Sequence, residues 1–182
     1  MGNELTSAHI LKDEGLRLFK EGLYLEAADR FEKARQLFVD EGDQLEATEM
    51  VNNLGIVHRM ERKWDKAVAA LEEAREAFAE LGDRNREAQV LGNLGGLYAS
   101  QGHREAARAT LRQAATAFAD LKDNQRQAEI LLALGVQKWK SGDRQGALTT
   151  YQAGLQILER PSFGQKILRT LLQFCAGLLR GL

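Results

Sequence analysis

Cysteine is almost absent from this sequence, which has Cys175 as its single cysteine in 182 residues. A lone cysteine excludes an intrachain disulfide framework and the zinc sites that are built from paired cysteines. The three histidines, at positions 9, 58 and 103, do not show the HExxH spacing of a zinc hydrolase. We therefore predict no metal and no cofactor, and a reducing, cytoplasmic location.

Long apolar runs are also missing. No segment approaches the roughly 18 apolar residues of a membrane-spanning helix, and no charged segment followed by an apolar stretch opens the chain. These absences favour a cytoplasmic protein that makes no membrane contact. Residues Met1 to Thr6 fit the MGxxx[ST] pattern for myristoylation, which leaves lipidation of Gly2 open.

Neither sign of charge dominates, since 25 Lys and Arg face 26 Asp and Glu. This balance does not favour a nucleic-acid partner. The distribution is uneven, because residues 122–182 contain nine Lys or Arg and four Asp or Glu. That basic excess fits either a solvated surface or a region that attracts an acidic partner or an anionic lipid surface.

Proline is nearly absent too, with Pro161 alone, whereas Ala, Leu, Glu, Arg and Gln are abundant. This composition favours helices throughout the chain. Gly92, Gly95 and Gly96 superficially resemble a phosphate-binding loop, but they lie inside a predicted helix with no strand before it. With no catalytic motif in the chain, we predict that the protein is not an enzyme.

What the sequence does contain is a pattern that returns every 40 residues. The recurring positions are Gly15, Gly55, Gly95 and Gly135; Ala27, Ala67, Ala107 and Ala147; and Phe38, Phe78, Phe118 and Leu158. Four copies predict four helical hairpins, each of which buries enough apolar surface only by stacking on its neighbours. The small glycines and alanines are expected where the two helices of a hairpin cross.

The apolar periodicity predicts helices over residues 4–20, 24–41, 44–61, 64–81, 84–101 and 104–121, and a fourth hairpin over about 124–160. Asp43, Asp83 and Asp123 precede predicted helices and are expected to cap their free N–H groups. Glycines are expected to end most of the helices in the left-handed conformation. Arg62 and Lys122 stand where the pattern otherwise has glycine.

The third copy, with Leu91, Leu94, Gly95 and Tyr98 followed by Ala107, resembles the tetratricopeptide repeat signature W-x2-L-G-x2-Y…A-x3-F. The resemblance extends over about residues 5–160. The period of 40 rather than 34 is similar to the long-helix repeats of Pins-type polarity adaptors, kinesin light chains and Rap-type peptide sensors. It implies an all-α fold, a right-handed superhelical solenoid in a single domain of residues 1–182. The implied repeats are about 4–42, 44–82, 84–122 and 124–161, followed by a capping helix over 162–182.

The resemblance also implies a function, because the first helices of such repeats line a concave groove that captures an extended peptide of a partner protein. The groove positions carried over to this chain include Lys12, Asn52, Asn53, Arg59, Met60, Gln89, Asn93 and Trp139. Asn53 and Asn93 occupy the same position in adjacent repeats, so their amides are expected to form a ladder that pairs with a peptide main chain. Alternatively, they hydrogen-bond a neighbouring helix. Gly92 and Gly96 keep the middle of the groove wide, and Trp139 either grips a side chain or packs in the core.

A chaperone is not the expected partner. The carboxylate-clamp version of the family is matched at Lys12 and Asn53, but Leu16, Gln89 and Asn93 stand where an asparagine and two basic residues belong.

The C-terminal segment leaves a second function class open. Its apolar positions cover more than one face of a helix, and they include Ile167, Leu171, Leu172, Leu178 and Leu179. One interpretation is a cap on the fourth repeat. The other is a structural subunit that self-associates, or docks on a larger complex or a membrane surface, through this helix.

Overall fold

The computed structural model of the chain describes residues 7–162 and 164–166. The lipidation pattern at Gly2 and most of the predicted capping helix lie outside the described residues. So do the apolar positions Ile167, Leu171, Leu172, Leu178 and Leu179, and Cys175.

The regular elements of the described residues are α-helices. They are α1 (Ser7–Lys20), α2 (Tyr24–Asp40), α3 (Gln44–Met60), α4 (Trp64–Glu80), α5 (Arg84–Gln101), α6 (Arg104–Asp120), α7 (Asn124–Lys140) and α8 (Arg144–Ile157). The observed bounds of α2 to α6 lie within a residue of the predicted ones. Helix α8 ends earlier than the predicted limit at 160, because Leu158 already has an extended backbone.

By its internal contacts the chain divides into two compact units, Met1–Leu97 and Tyr98–Leu182. In unit 1, α1 packs on α2, α2 on α3 and α3 on α4, and the side chains of Phe31, Phe38, Leu71 and Phe78 are at most 1% exposed. In unit 2, α6 packs on α7 and α7 on α8. The repeated aromatic position is buried in this unit as well, at Phe118. The prediction of a single domain over 1–182 stays a prediction.

Three of the four recurring glycines, Gly15, Gly55 and Gly135, lie where paired helices touch, as predicted. A Cβ at Gly15 would lie 2.6 Å from Cε1 of Phe31, and one at Gly55 would lie 2.7 Å from Cγ of Leu71. At Gly135 it would meet the backbone of α8, with the Tyr151 nitrogen at 3.2 Å. Helices α1, α3 and α7 can therefore approach their partners only because these positions have no side chain.

The helix ends follow the predicted chemistry. The carboxylates of Asp43, Asp83 and Asp123 each accept a hydrogen bond of 2.9 to 3.0 Å from the backbone N–H three residues on. The two turns that lack glycine keep the same backbone conformation, since Arg62 has φ 59° and Lys122 has φ 58°. Packing of the helices on either side thus outweighs the local cost of a left-handed residue.

Candidate functional site

The candidate residues of unit 1 lie on α1, α3 and α5, the first helices of its hairpins. We call the surface that they contribute within unit 1 the first-helix face. The candidate polar side chains fall into two sets, one joined by hydrogen bonds and ion pairs and one with no such partner among the described residues. The division between them decides which candidates are available to a ligand.

The joined set forms a continuous chain of contacts across the three helices, which we call the bracing network: Lys12, Glu46, Glu49, Asn52, Arg86 and Asn93. Lys12 donates from Nζ to Glu46 Oε2 at 2.6 Å, and Arg86 donates from Nη2 to Glu46 Oε1 at 3.2 Å. Glu46 therefore connects α1 and α5 through α3. Side chains in this part are 15 to 28% exposed, so water screens their charges less than at an open surface.

Arg86 is the most connected member of the bracing network. Besides Glu46, it pairs through Nε with Glu49 Oε2 at 3.4 Å and through Nη1 with Asp83 Oδ2 at 3.1 Å. Burial acts to raise the pKa of Asp83, but the hydrogen bonds and charge of Arg86 outweigh it, so the pKa lies below its usual value. For Glu49, burial is the stronger effect and raises the pKa, although Arg86 and Lys12 oppose it.

The asparagines of the face pair differently from the expected ladder. Asn93 donates from Nδ2 to Oδ1 of Asn52 at 2.8 Å, and Asn52 Nδ2 lies 3.4 Å from Glu49 Oε1. Asn52 precedes Asn53 by one residue, which turns it about 100° around α3. Asn52 is 2% exposed, so its amide joins α3 to α5 and is not presented to a ligand. This geometry matches the alternative in which an asparagine bonds a neighbouring helix.

The second set consists of Asn53, Arg59, Met60 and Gln89, which we call the open set. Asn53 and Gln89 are half-buried and take no part in the bracing network. Met60 is 43% exposed and follows Asn53 by seven residues, so both lie on the same side of α3. The open set thus offers two amides and a flexible apolar side chain beside the paired groups of the bracing network.

Arg59 is the charged member of the open set. It is half-buried in the last turn of α3, and burial lowers its pKa. Its guanidinium lies against Gly96 of α5, where a Cβ would be 2.6 Å from Arg59 Nη1. The guanidinium therefore occupies space that a side chain at position 96 would fill.

Trp139 belongs to unit 2. Its side chain is 54% exposed, so the interpretation that it packs in the core is wrong. The guanidinium of Arg144 lies 4.4 Å from the centroid of its ring, a cation–π contact. This contact joins the last turn of α7 to the first residue of α8.

The described residues hold no group of three or more His, Cys, Asp or Glu side chains placed to bind a metal ion. In the same part of the chain, every helix is too short or too polar to cross a membrane.

Residues 46–120 match the family model of the tetratricopeptide repeat. Residues 46–120 carry tetratricopeptide repeats. This confirms the family predicted from the 40-residue pattern, whereas the long-repeat subclass stays a prediction. Repeats of this family generally mediate contacts between proteins and are typically noncatalytic scaffolds.

A solved structure shows the same fold over most of the chain. The crystal structure of BtubC (BKLC) from P. vanneervenii superimposes with a TM-score of 0.73 at 23% sequence identity. The match covers 85% of this chain and 66% of that one. It confirms the all-α, solenoid-type fold class of consecutive helical hairpins. No curated protein matches the sequence.

Sequence reasoning missed two members of the bracing network, because Glu46 and Arg86 were not among the predicted groove positions. A signal for it was present. Glu46 and Arg86 are 40 residues apart, so they occupy equivalent positions in adjacent repeats with opposite charges. In a repeat array, equivalent positions of neighbouring copies are the ones that meet, and such a pair predicts an ion pair between repeats.

Proposed function

We propose that this protein is a cytoplasmic adaptor without catalytic activity, which binds an extended segment of a partner protein on its first-helix face. The family supports a protein partner. The observation that carries the proposal is the division of that face, where the open set has no polar partner among the described residues and the bracing network beside it is paired.

The amides of the open set suit this task. Asn53 and Gln89 each offer a donor and an acceptor, which is what the main chain of an extended peptide needs whatever its side chains are. Met60 adds a flexible apolar contact that adapts to different side chains. Lys12, Asn52 and Asn93 hold the three helices in place, so in this proposal they support the binding face and do not contact the peptide.

A selection from a displayed library of random twelve-residue peptides tests the proposal. The bait is the full chain, and each selected peptide is then synthesised and titrated by fluorescence anisotropy. The double variant Asn53→Ala/Gln89→Ala is expected to weaken binding about tenfold or more, since two hydrogen bonds to the ligand are lost.

The matched control is Gln113→Ala/Gln156→Ala, which removes two exposed amides from the second helices α6 and α8. It is expected to leave affinity unchanged. If no peptide is selected, or if both double variants bind every selected peptide as the unmodified chain does, the first-helix face is not the binding surface.

A further inference from the structure

Arg59 differs from every other half-buried arginine of the described residues. The others each have a carboxylate within ion-pair distance: Arg30 with Glu14, Arg35 with Glu32, Arg75 with Glu72, Arg86 with Glu46, and Arg108 with Glu105. Within the same part of the chain, Arg59 has no acidic partner. A guanidinium that loses water without gaining a counter-charge is unfavourable, so this position lacks the group that would complete it.

The position of the Arg59 guanidinium limits the kind of group that can pair with it. The guanidinium lies against α5 at Gly96, in the space that a side chain there would fill. The first-helix face also carries Asn53 and Gln89, which bind the peptide main chain in the function proposed above. A carboxylate on a flexible side chain can extend from such a peptide to the guanidinium and accept two parallel hydrogen bonds from it.

We propose that Arg59 and Gly96 form a subsite for an aspartate or glutamate side chain of the bound segment, a proposal that rests on the function proposed above. The partner is then an acidic peptide, and the acidic residue is internal to it. A carboxylate bound at a half-buried site gains more from the arginine than one at an open surface, because less water competes for either charge. The subsite therefore selects among peptides that the amides alone would accept equally.

The helix itself offers a competing explanation for Arg59. A cation in the last turn of a helix is stabilised by the partial negative charge of the carbonyl end, and Arg59 satisfies this condition on α3. That role needs only a positive charge near the helix end. It does not need a forked guanidinium placed over Gly96, so replacement by lysine separates the two explanations.

The test uses the peptides selected on the full chain. We expect them to share an Asp or Glu at one position. Replacement of that residue by Asn or Gln should weaken binding about tenfold or more to the unmodified chain and by less than about twofold to the Arg59→Gln variant. The Arg59→Lys variant should lose part of the preference, since an ammonium group cannot make the paired hydrogen bonds. The Arg112→Gln variant removes an exposed arginine of α6 and should keep the full preference.

A second variant keeps the charge and changes only its placement. Gly96→Ala forces the guanidinium away from α5 and should weaken binding of the acidic peptide at least threefold. It should not change binding of the peptide in which Asn or Gln replaces the acidic residue. Circular dichroism confirms that each variant is folded before it is titrated.

The outcomes separate this inference from the function on which it rests. Peptides that depend on Asn53 and Gln89 but are indifferent to Arg59→Gln would leave the adaptor function standing and overturn the acidic subsite. Peptides whose binding is abolished by amidation of their C-terminus would overturn the assignment to a side chain. If no peptide is selected, the function and the subsite fail together.

Discussion

The two ends of the first-helix face each have a half-buried arginine, but the two arginines differ in their acidic partners. Near the start of α5, Arg86 meets Glu46, Glu49 and Asp83 at 3.1 to 3.4 Å. At the end of α3, Arg59 is half-buried with no acidic partner among the described residues. The first arrangement is complete without a ligand, and the second is not.

The difference teaches how one surface can both hold a repeat array together and remain available for binding. Helices in such an array contact only their neighbours, so each pair needs its own connections. Here the connections between α3 and α5 are concentrated in the bracing network, toward the N-terminal halves of the two helices. Among the described residues, the open set contributes no hydrogen bond or ion pair to these connections.

The largest expected effect comes from replacing Arg86, the arginine whose acidic partners are present in the chain. Arg86→Ala leaves Glu49 and Asp83 without their cation and should lower the free energy of unfolding by about 1–3 kcal/mol. Arg59→Ala is the matched variant and should change it by about 0.5 kcal/mol or less. Urea denaturation followed by circular dichroism measures both. Equal losses from the two variants would contradict the division of the face.

The asparagines provide the next comparison. Asn93→Ala removes the donor to Oδ1 of Asn52, whose side chain is 2% exposed. A buried acceptor left without its donor should lower the free energy of unfolding by about 1–2 kcal/mol. Asn53→Ala should cost less than about 0.5 kcal/mol, because Asn53 has no place in the network. The same urea experiment measures both losses. A larger loss from Asn53→Ala would show that Asn53, and not Asn93, stabilises the fold.

The asparagine pair also shows how far the sequence predicts this molecule. The 40-residue pattern predicts the hairpins, the crossing glycines at Gly15 and Gly55 and the caps at Asp43, because these depend on contacts inside one repeat or on local backbone chemistry. The partner of Asn93 depends on how α3 and α5 are rotated against each other. Pattern matching places Asn53 and Asn93 in register, but the rotation brings Asn52 to Asn93 instead.

Charge pairing was harder to predict for the same reason. Lys12 was predicted as a groove residue, yet it forms an ion pair with Glu46, which is 34 residues away in sequence. The sequence contains 26 Asp and Glu, any of which could have paired with Arg59. That none of the described ones does so is visible only when the neighbours of Arg59 are known. The peptide-binding roles of Asn53, Arg59, Met60 and Gln89 stay predictions.

A smaller effect, of opposite sign, is expected at the open end. Gly96→Ala removes a glycine from the interior of α5, which should stabilise the helix by about 0.5–1 kcal/mol. The new Cβ displaces Arg59 Nη1, and since that atom ends a flexible side chain the cost of moving it is small. The gain should therefore be complete in an Arg59→Ala background and somewhat reduced with arginine present. A double-mutant cycle in urea measures this difference. Equal destabilisation in both backgrounds would mean that something other than Arg59 fills the space.

The smallest expected effect tests the bracing network through its pH dependence. Burial raises the pKa of Glu49 in the folded protein, so the folded state holds this proton more tightly than the unfolded state does. Stability from this group is therefore greatest at low pH, falls as pH rises from the unfolded pKa through the folded one, and is constant above it. Glu49→Gln removes that fall and keeps an acceptor for Asn52. Its melting temperature should exceed that of the unmodified chain by up to about 2 °C at pH 7, with the difference shrinking toward pH 4. If the variant instead melts below the unmodified chain at pH 7, and this deficit disappears on acidification, the ion pair with Arg86 outweighs the burial of the carboxylate.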